Sequence, residues 1–586
     1  MLDPRIFRAA LLPVLLVLIV VAFSLEDRPG PLRSSFAPDA FDGARAVDLL
    51  DRLDRDHPLR RAGSPGDTAL AGAVAEQLGL ALRQRVAVHT RTLRGETLDG
   101  DSEIVTVTAQ DPGSSPRSQV VLVAQRDSAS AGAKADLSGT AALVEVARAV
   151  ADSRPARSVT FASISGASGG QAGMRDLVRR LPRPIDAVIE IGDLAGDPGD
   201  HPVVVGWSES AGAASVRLQR TVSLAVRREA GVAPGFPLAR TQIARYALPQ
   251  SVSGQSVALG AGIPAVRLSL GGELPSKPGI RVDADRMEIF GRATLRVLKA
   301  LDGPLDAGPP TRDLAVAKKI LPGWAVRLLL AALLLPAALT VGDGLARLRR
   351  RGEPFAGRIA WVVGLGVPVA AAVLLARVLG LAGAVPQLRP APPPGAVPLD
   401  GAAWTAMGCC LAISALVAVV IRPWLARRAA SCGGPAAPAA ALAVLLAAVV
   451  LAVVTWVVNP YAAMLLVLPV NLWLLLAVGS QLRRPLAVAL VLASIAPAAM
   501  VIAIYASDMS MSAGQVPWFW MLAVAGGGVS LPVALCWSLG AGATLGALVL
   551  ALNRLPVDRD REVTVRGPVT YAGPGSLGGT DSAIRR

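Results

Sequence analysis

The sequence predicts an α/β domain, with a mostly parallel sheet and helices on both faces, joined to a polytopic α-helical membrane bundle. Three observations predict it. The 586 residues are 53% hydrophobic, with a mean hydropathy of +0.50, too apolar for an ordinary soluble chain. Apolar runs long enough to cross a bilayer fill the first 25 residues and most of the chain after 324. Between them lies a stretch of soluble composition, in which helical patterns alternate with short, near-continuously apolar strands.

Residues 6–25, IFRAALLPVLLVLIVVAFSL, follow Arg5 and carry Arg8 at their start. Ala22-Phe23-Ser24 would serve as a signal-peptidase site, but the apolar core exceeds the usual signal length and fills a bilayer. Residues 1–25 therefore read as an uncleaved anchor. The flanking arginines place the N-terminus in the cytoplasm and residues 26–315 outside it.

In 26–315, helices are predicted near 39–55, 66–82, 138–151 and 170–180, and strands near 103–109, 119–125, 158–164 and 185–191. About 290 residues suit one large domain. Ser138 is placed to cap the helix whose inner face carries Leu143, Val146, Ala147 and Val150. No cysteine occurs in this region, so it folds without disulfides.

From 324 to 553 the spans read near 324–342, 359–384, 402–421, 438–458, 461–478 and 486–506, followed by an apolar stretch, 517–552. That last stretch is long for one helix and short for two. Arg347 to Arg351, Arg422 to Arg428 and Arg483–Arg484 punctuate alternate connections. The connections between them, PQLRPAPPPGAVPLDG (386–401), Asn459-Pro460 and 507–516, are poor in arginine. This positive-inside pattern, with six arginines after 553, predicts cytoplasmic termini and eight crossings, seven of them in the bundle. Trp518-Phe519-Trp520 then sits at the outer interface, as an aromatic anchor or a broken half-helix. Residues 554–586, rich in Gly, Ser and Pro, read as a disordered cytoplasmic tail.

The formal charge of +15 sits mostly on arginines at span ends rather than on a basic stripe, so nucleic acid is excluded as a partner. The four cysteines, all in the apolar half, form no CxxC or Cys/His pair. Three histidines (His57, His89 and His201) cannot build a His-rich metal site. His57 and His201 read as loop residues. The glycine pairs lack the lysine of a phosphate loop. The preference for arginine over lysine and the abundance of alanine point to a GC-rich bacterium and its plasma membrane.

Residues 120–150, VVLVAQRDSASAGAKADLSGTAALVEVARAV, run a buried strand into a small-residue loop and then a helix. That is the layout of a catalytic loop, but without reactive side chains. Together with HPLRRAGSPG (57–66), VTFASISGASGGQAG (159–173), DLAG (193–196) and GIPAVRL (262–268), in this order and at these spacings, it resembles the zinc aminopeptidases of metallopeptidase family twenty-eight. The resemblance covers most of 39–300 and implies the zinc-exopeptidase fold. The family holds two zinc ions, one carboxylate bridging them, with a further Glu as general base.

Carried across, the first His ligand becomes Gln125, the bridging Asp becomes Ala135, and the Glu-Glu pair becomes Ala167-Ser168. One Asp ligand survives as Asp193. The last His falls within ELPSKP (273–278), which has none, and the family's Ser-Asp-His is Ser253-Gly254-Gln255. The four charges of two zinc ions cannot be balanced by what remains, and Lys134 would repel them further. No cofactor is expected. A one-metal remnant on Asp127, Asp136 and Asp193 is the alternative.

The leading functional expectation is a catalytically inactive, membrane-anchored peptidase-like protein. Its outward domain would bind a peptide, a lipid-linked substrate or a partner membrane protein. The plan of one anchor, one peptidase-like domain and about seven spans resembles the peptidase-like subunit of GPI transamidase and membrane-bound exopeptidases of the endoplasmic reticulum. An active metallo-aminopeptidase with a divergent site is a second reading, and a lipid transporter or flippase component a third. Ionisable residues within the bundle are few, with Asp343 near one end and Arg377 near the other, which disfavours a proton-coupled carrier.

Overall fold

Four strands buried along almost their whole length carry the α/β domain. The computed structural model describes residues 4–34, 38–114, 118–151, 153, 155–197, 199, 203–352, 355–431, 438–478 and 482–553. The readings on His201 and on the 554–586 tail lie outside the described residues.

Helix α1 (Pro4–Phe23) packs along the first bundle helix, and β1 (Glu26–Asp27) follows it. Helices α2 (Gly43–Asp56) and α3 (Pro65–Ala81) come next. Asp42 and Ser64 cap them, each accepting from the backbone N–H three residues on. A long hairpin, β2 (Val88–Thr97) and β3 (Gly100–Asp111), precedes the buried strand β4 (Gln119–Gln125). A 3₁₀ turn over Lys134–Leu137 leads into α4 (Ser138–Val150). Then come β5 (Val159–Ile164), α5 (Ala172–Arg180), β6 (Ile185–Ile191), β7 (Val204–Val205), α6 (Val216–Ala230), α7 (Ala239–Ala247), α8 (Gln255–Gly260), β8 (Ala265–Leu268) and α9 (Ala284–Leu301).

The seven-stranded sheet has the order β2-β3-β5-β4-β6-β8-β7. Its centre, β5-β4-β6-β8, is parallel. The edges are antiparallel: β2 on β3, β3 on β5, and β7 on β8. The sheet is thus mixed, more so than the mostly parallel expectation. Val120 to Ala124 have no exposed surface, and each buried Val or Leu side chain among them contributes roughly 1.5–3 kcal/mol.

A second, three-stranded sheet, β1-β10-β9, pairs the segment after α1 with β9 (Leu314–Val316) and β10 (Lys319–Leu321). It ties the start of the domain to its exit, and the expected boundary at 315 falls inside β9.

The bundle follows: α10 (Gly323–Arg350), α11 (Ala356–Leu381), α12 (Gly401–Ser431), α13 (Pro438–Val458), α14 (Pro460–Val478), α15 (Arg484–Ser494), α16 (Ala496–Asp508), α17 (Gln515–Ala525) and α18 (Leu531–Leu552). Among the described residues, seven helices are long and apolar enough to cross a membrane, with α15 and α16 forming one of them. The chain is therefore multi-pass. Pro497, which cannot donate to the helical ladder, follows the break between α15 and α16. The 517–552 stretch resolves into one full-length helix, α18, preceded by the half-helix α17 that carries Trp518-Phe519-Trp520.

All three arginine-poor connections meet the α/β domain. Arg175 donates to the Arg389 carbonyl at 2.7 Å. Asn459 Nδ2 donates to the Tyr246 carbonyl at 2.8 Å. Asp508 pairs with Arg245 at 3.2 Å. These three connections thus lie on one face of the bundle, the one that meets the α/β domain.

Candidate functional site: a cleft at the ends of the parallel strands

The parallel strands deliver their C-terminal residues to one edge of the sheet, where open α/β sheets hold their ligands. There β4 ends at Gln125 and β6 at Ile191, followed by Gly192 and Asp193. A cleft of about 540 Å³, its open mouth included, is lined there by Gln125, Asp127, Asp136, Ala167, Ser168 and Asp193, among others. Six of the seven positions singled out from the sequence therefore converge. Ala135 does not join the lining; it is buried within the 3₁₀ turn, while its neighbour Asp136 does.

Each surviving carboxylate is engaged by donors of the protein itself. Asp127 accepts the backbone N–H of Ala167 at 3.0 Å and of Ser168 at 2.8 Å. It thereby pins the turn that stands where the resemblance puts the Glu-Glu pair. Burial raises its pKa, with the Asp67 carboxylate adding to the rise. Asp193 Oδ1 accepts from the N–H groups of Ala195 (2.9 Å) and Gly196 (2.8 Å) and from the Ser138 hydroxyl (3.1 Å). Its Oδ2 accepts from the Ser276 hydroxyl at 2.6 Å. Asp136 accepts from the Ser276 N–H at 2.6 Å and from the Ser128 hydroxyl at 3.4 Å. Burial, with Asp193 nearby, pushes its pKa up to about 6.

Ser138 corrects an expectation. It is the first residue of α4 rather than its cap, and the cap position, Leu137, makes no side-chain bond. The 3₁₀ turn already supplies the helix entrance, so the Ser138 hydroxyl is free to join Asp193 to the Ala135 carbonyl.

The residues that sequence reasoning missed form an ion pair beneath Gln125. Glu190 on β6 and Arg267 on β8 are register partners, and their side chains form a buried salt bridge. The Gln125 amide donates to the same carboxylate, and the Gln255 N–H takes its other oxygen. Arg267 Nε donates to the Gly272 carbonyl at 2.9 Å. Its guanidinium lies against Gly192, where even a methyl group would come within 2.6 Å of Nη2. A signal was present: AVIEIG and AVRLSL each carry one charge, of opposite sign, inside an otherwise apolar strand.

A second cluster joins the cleft to the bundle. Glu273, from the segment where the last His was sought, lines the cleft and pairs with Arg245 at 2.9 Å. Arg245 also reaches Asp508 at the end of α16 and lies over the Tyr505 ring at 4.5 Å. Of the histidines, His57 ends α2 and His89 is exposed on β2; neither lines the cleft. Among the described residues, no three His, Cys, Asp or Glu side chains are grouped so as to hold a metal ion.

No family model and no curated protein matches the chain. Solved structures resemble part of the chain. A glutaminyl cyclase from an Acidobacteriales bacterium is 14% identical, covering 47% of this chain and 97% of its own, with a TM-score of 0.36. LapB from Legionella pneumophila is 15% identical, covering 47% and 78%, with a TM-score of 0.37. BSAP, a zinc aminopeptidase from Bacillus subtilis, is 10% identical, covering 44% and 94%, with a TM-score of 0.35. Each of these likenesses covers less than half of this chain.

Proposed function

We propose that this is a catalytically silent, peptidase-like membrane protein whose α/β domain binds a ligand in the cleft without cleaving it. One observation carries the reading: the cleft carboxylates are already satisfied by backbone N–H groups, hydroxyls and arginines. Metal ions need lone pairs aimed at a common point. Here those lone pairs are spent inside the protein, and the family's remaining donors are replaced by Gln125, Ala135, Ala167 and Ser168. Two zinc ions do not fit this donor set. The charge they would supply has a partial substitute in Arg267, which neutralises Glu190. Position 167, where the resemblance places a general base, holds a methyl group that cannot take a proton from water.

The same reading puts the domain outside a bacterial plasma membrane, with both termini cytoplasmic and neither cofactor nor nucleic acid involved. Its partners are membrane lipid and a peptide, lipid-linked molecule or membrane protein in the cleft. The test is thermal unfolding of the full chain in detergent, with stoichiometric zinc and with chelator, alongside hydrolysis of aminoacyl anilides. The expected result is no zinc-dependent shift and no cleavage. A steep rise in Tm with zinc would reveal a real site through linkage, worth about 2.7 kcal/mol at a hundredfold excess over Kd, and would overturn the proposal.

A further inference from the structure

The polar groups left over in the cleft, and the direction in which it faces, name a ligand class. We infer that the cleft takes the uncharged, amide- or hydroxyl-bearing head of an amphiphile held in the leaflet beside the α/β domain. This rests on the ligand-binding reading above.

The first observation concerns chemistry. The carboxylates of the lining are engaged, but one oxygen on each of two uncharged side chains is not. Gln171, 1% exposed, donates through Nε2 to the carbonyls of Ala167 and Val252, both at 2.9 Å. Two carbonyl partners fix the amide orientation, so Oε1 is its acceptor, and Oε1 has no hydrogen-bond partner among the described residues. Ser253, 2% exposed, likewise has an unpartnered Oγ. Both line the cleft. Buried polar atoms left unpaired are costly and call for partners. An N–H or O–H of a neutral head supplies one to each, whereas an anion would meet Asp127, Asp136 and Asp193.

The second observation concerns access. One wall of the cleft belongs to the bundle: Pro393 and Ala396, from the connection between α11 and α12, line it. That connection is fastened to the domain. Leu388 packs against Gly169 and Gly170, where added methyl groups would come within 2.9 and 3.0 Å of it. Arg175 donates twice to the Arg389 carbonyl. On another side, the Gln250 N–H donates to the Tyr505 hydroxyl at 3.1 Å, and Gln250 Nε2 reaches the Gly528 carbonyl at 3.2 Å. The loop that presents Val252 and Ser253 to the cleft is thus seated on bundle helices. A ligand standing in the bilayer with its head at this level enters between the two parts of the molecule.

The test uses the full chain in vesicles, with Cys409, Cys410, Cys432 and Cys536 replaced by serine and Ala129→Cys at the cleft. Two reagents compete: a maleimide on a phosphatidylethanolamine head within the vesicle, and a maleimide on a soluble polyethylene glycol chain. Thr92→Cys, on the exposed strand β2, is the reference. Confinement to the leaflet raises effective concentration, so the tethered-to-soluble rate ratio should be at least about tenfold higher at 129 than at 92. A ratio no higher than that at 92 overturns the inference. Ser168→Cys repeats the measurement should Ala129→Cys fold poorly. In a second arm, N-palmitoylethanolamine in the vesicle should slow labelling at 129, and soluble N-acetylethanolamine or palmitoyl phosphate should not. Equal or greater protection by either of those, or no protection by N-palmitoylethanolamine, also overturns it. The ligand-binding reading falls on zinc stabilisation instead, so the two failures are distinguishable.

Discussion

Replacing Arg245 with methionine should uncouple the cleft from the bundle at a measurable cost. Arg245 is 4% exposed, and its partner Glu273 is 8% exposed. The guanidinium donates to Glu273 at 2.9 Å and to the Gln250 carbonyl at 2.9 Å, and it pairs with Asp508 at 3.2 Å. Methionine fills similar space but leaves the Glu273 carboxylate with only the Ser251 hydroxyl as a partner among the described residues. Breaking a buried pair in this way costs about 3–5 kcal/mol. Loss of the cation–π contact with Tyr505 adds about 1 kcal/mol. At about 2 °C per kcal/mol for a domain of this size, Tm should fall by roughly 8–12 °C. Thermal unfolding of the full chain in nanodiscs measures this. Adding Glu273→Gln removes the stranded charge, so the double variant should regain about half of the loss. A single variant within about 0.5 kcal/mol of the parent would refute the clamp, since surface substitutions fall in that range. So would a double variant as unstable as the sum of the two singles.

Two further outcomes follow from the cleft. Burial pushes the Asp136 carboxyl up to about 6 in the folded chain, above its ordinary value of 3.8. The unfolded chain therefore sheds this proton first as pH rises, and the stabilisation present below about pH 4 is lost by about pH 7, some 3 kcal/mol in all. Asp136→Asn should flatten that part of the Tm-against-pH curve and raise stability at pH 7.5; an unchanged slope would count against it. Arg267→Met should cost about 3–5 kcal/mol by stranding Glu190, and Arg267→Met with Glu190→Gln should recover most of it, read by the same unfolding assay; no recovery would mean that the pair is not the unit assumed.

The sequence was legible where one physical requirement dominated. Strands β4, β5 and β6 fall within a residue of their expected ranges because each is an unbroken apolar run with both faces covered. Strand β2 was not foreseen. Its residues, VHTRTLRGET, alternate nothing apolar, since most of them face solvent; pairing with β3, not burial, makes it a strand. The mixed character of the sheet was hidden for the same reason, because strand direction at an edge leaves no mark on hydropathy. Six of the seven singled-out site positions were brought together, since fold resemblance carries loop positions with it. What the substituted side chains do instead was not legible. Asp193 looks like a surviving ligand in sequence and Asp127 like a candidate for a one-metal remnant, yet in space they serve as acceptors that hold the loops 167–168 and 194–196.

The same exchange accounts for how such a cleft stays folded. Buried carboxylates need compensation wherever they stand. In this chain the compensation comes from groups fixed by the backbone: N–H pairs at 167–168 and 195–196, the Ser138 and Ser276 hydroxyls, and Arg267 from a neighbouring strand. Each is a neutral donor, or a charge paired one to one, so none needs an ion from solution. Glu273 extends the scheme past the domain boundary, because its counter-charge, Arg245, is shared with Asp508 on a bundle helix. Placing histidine at 125 alone should therefore not create a metal site. The Glu190 carboxylate beneath it is already held by Arg267 and the Gln255 N–H, and a ligand set needs several free donors at once.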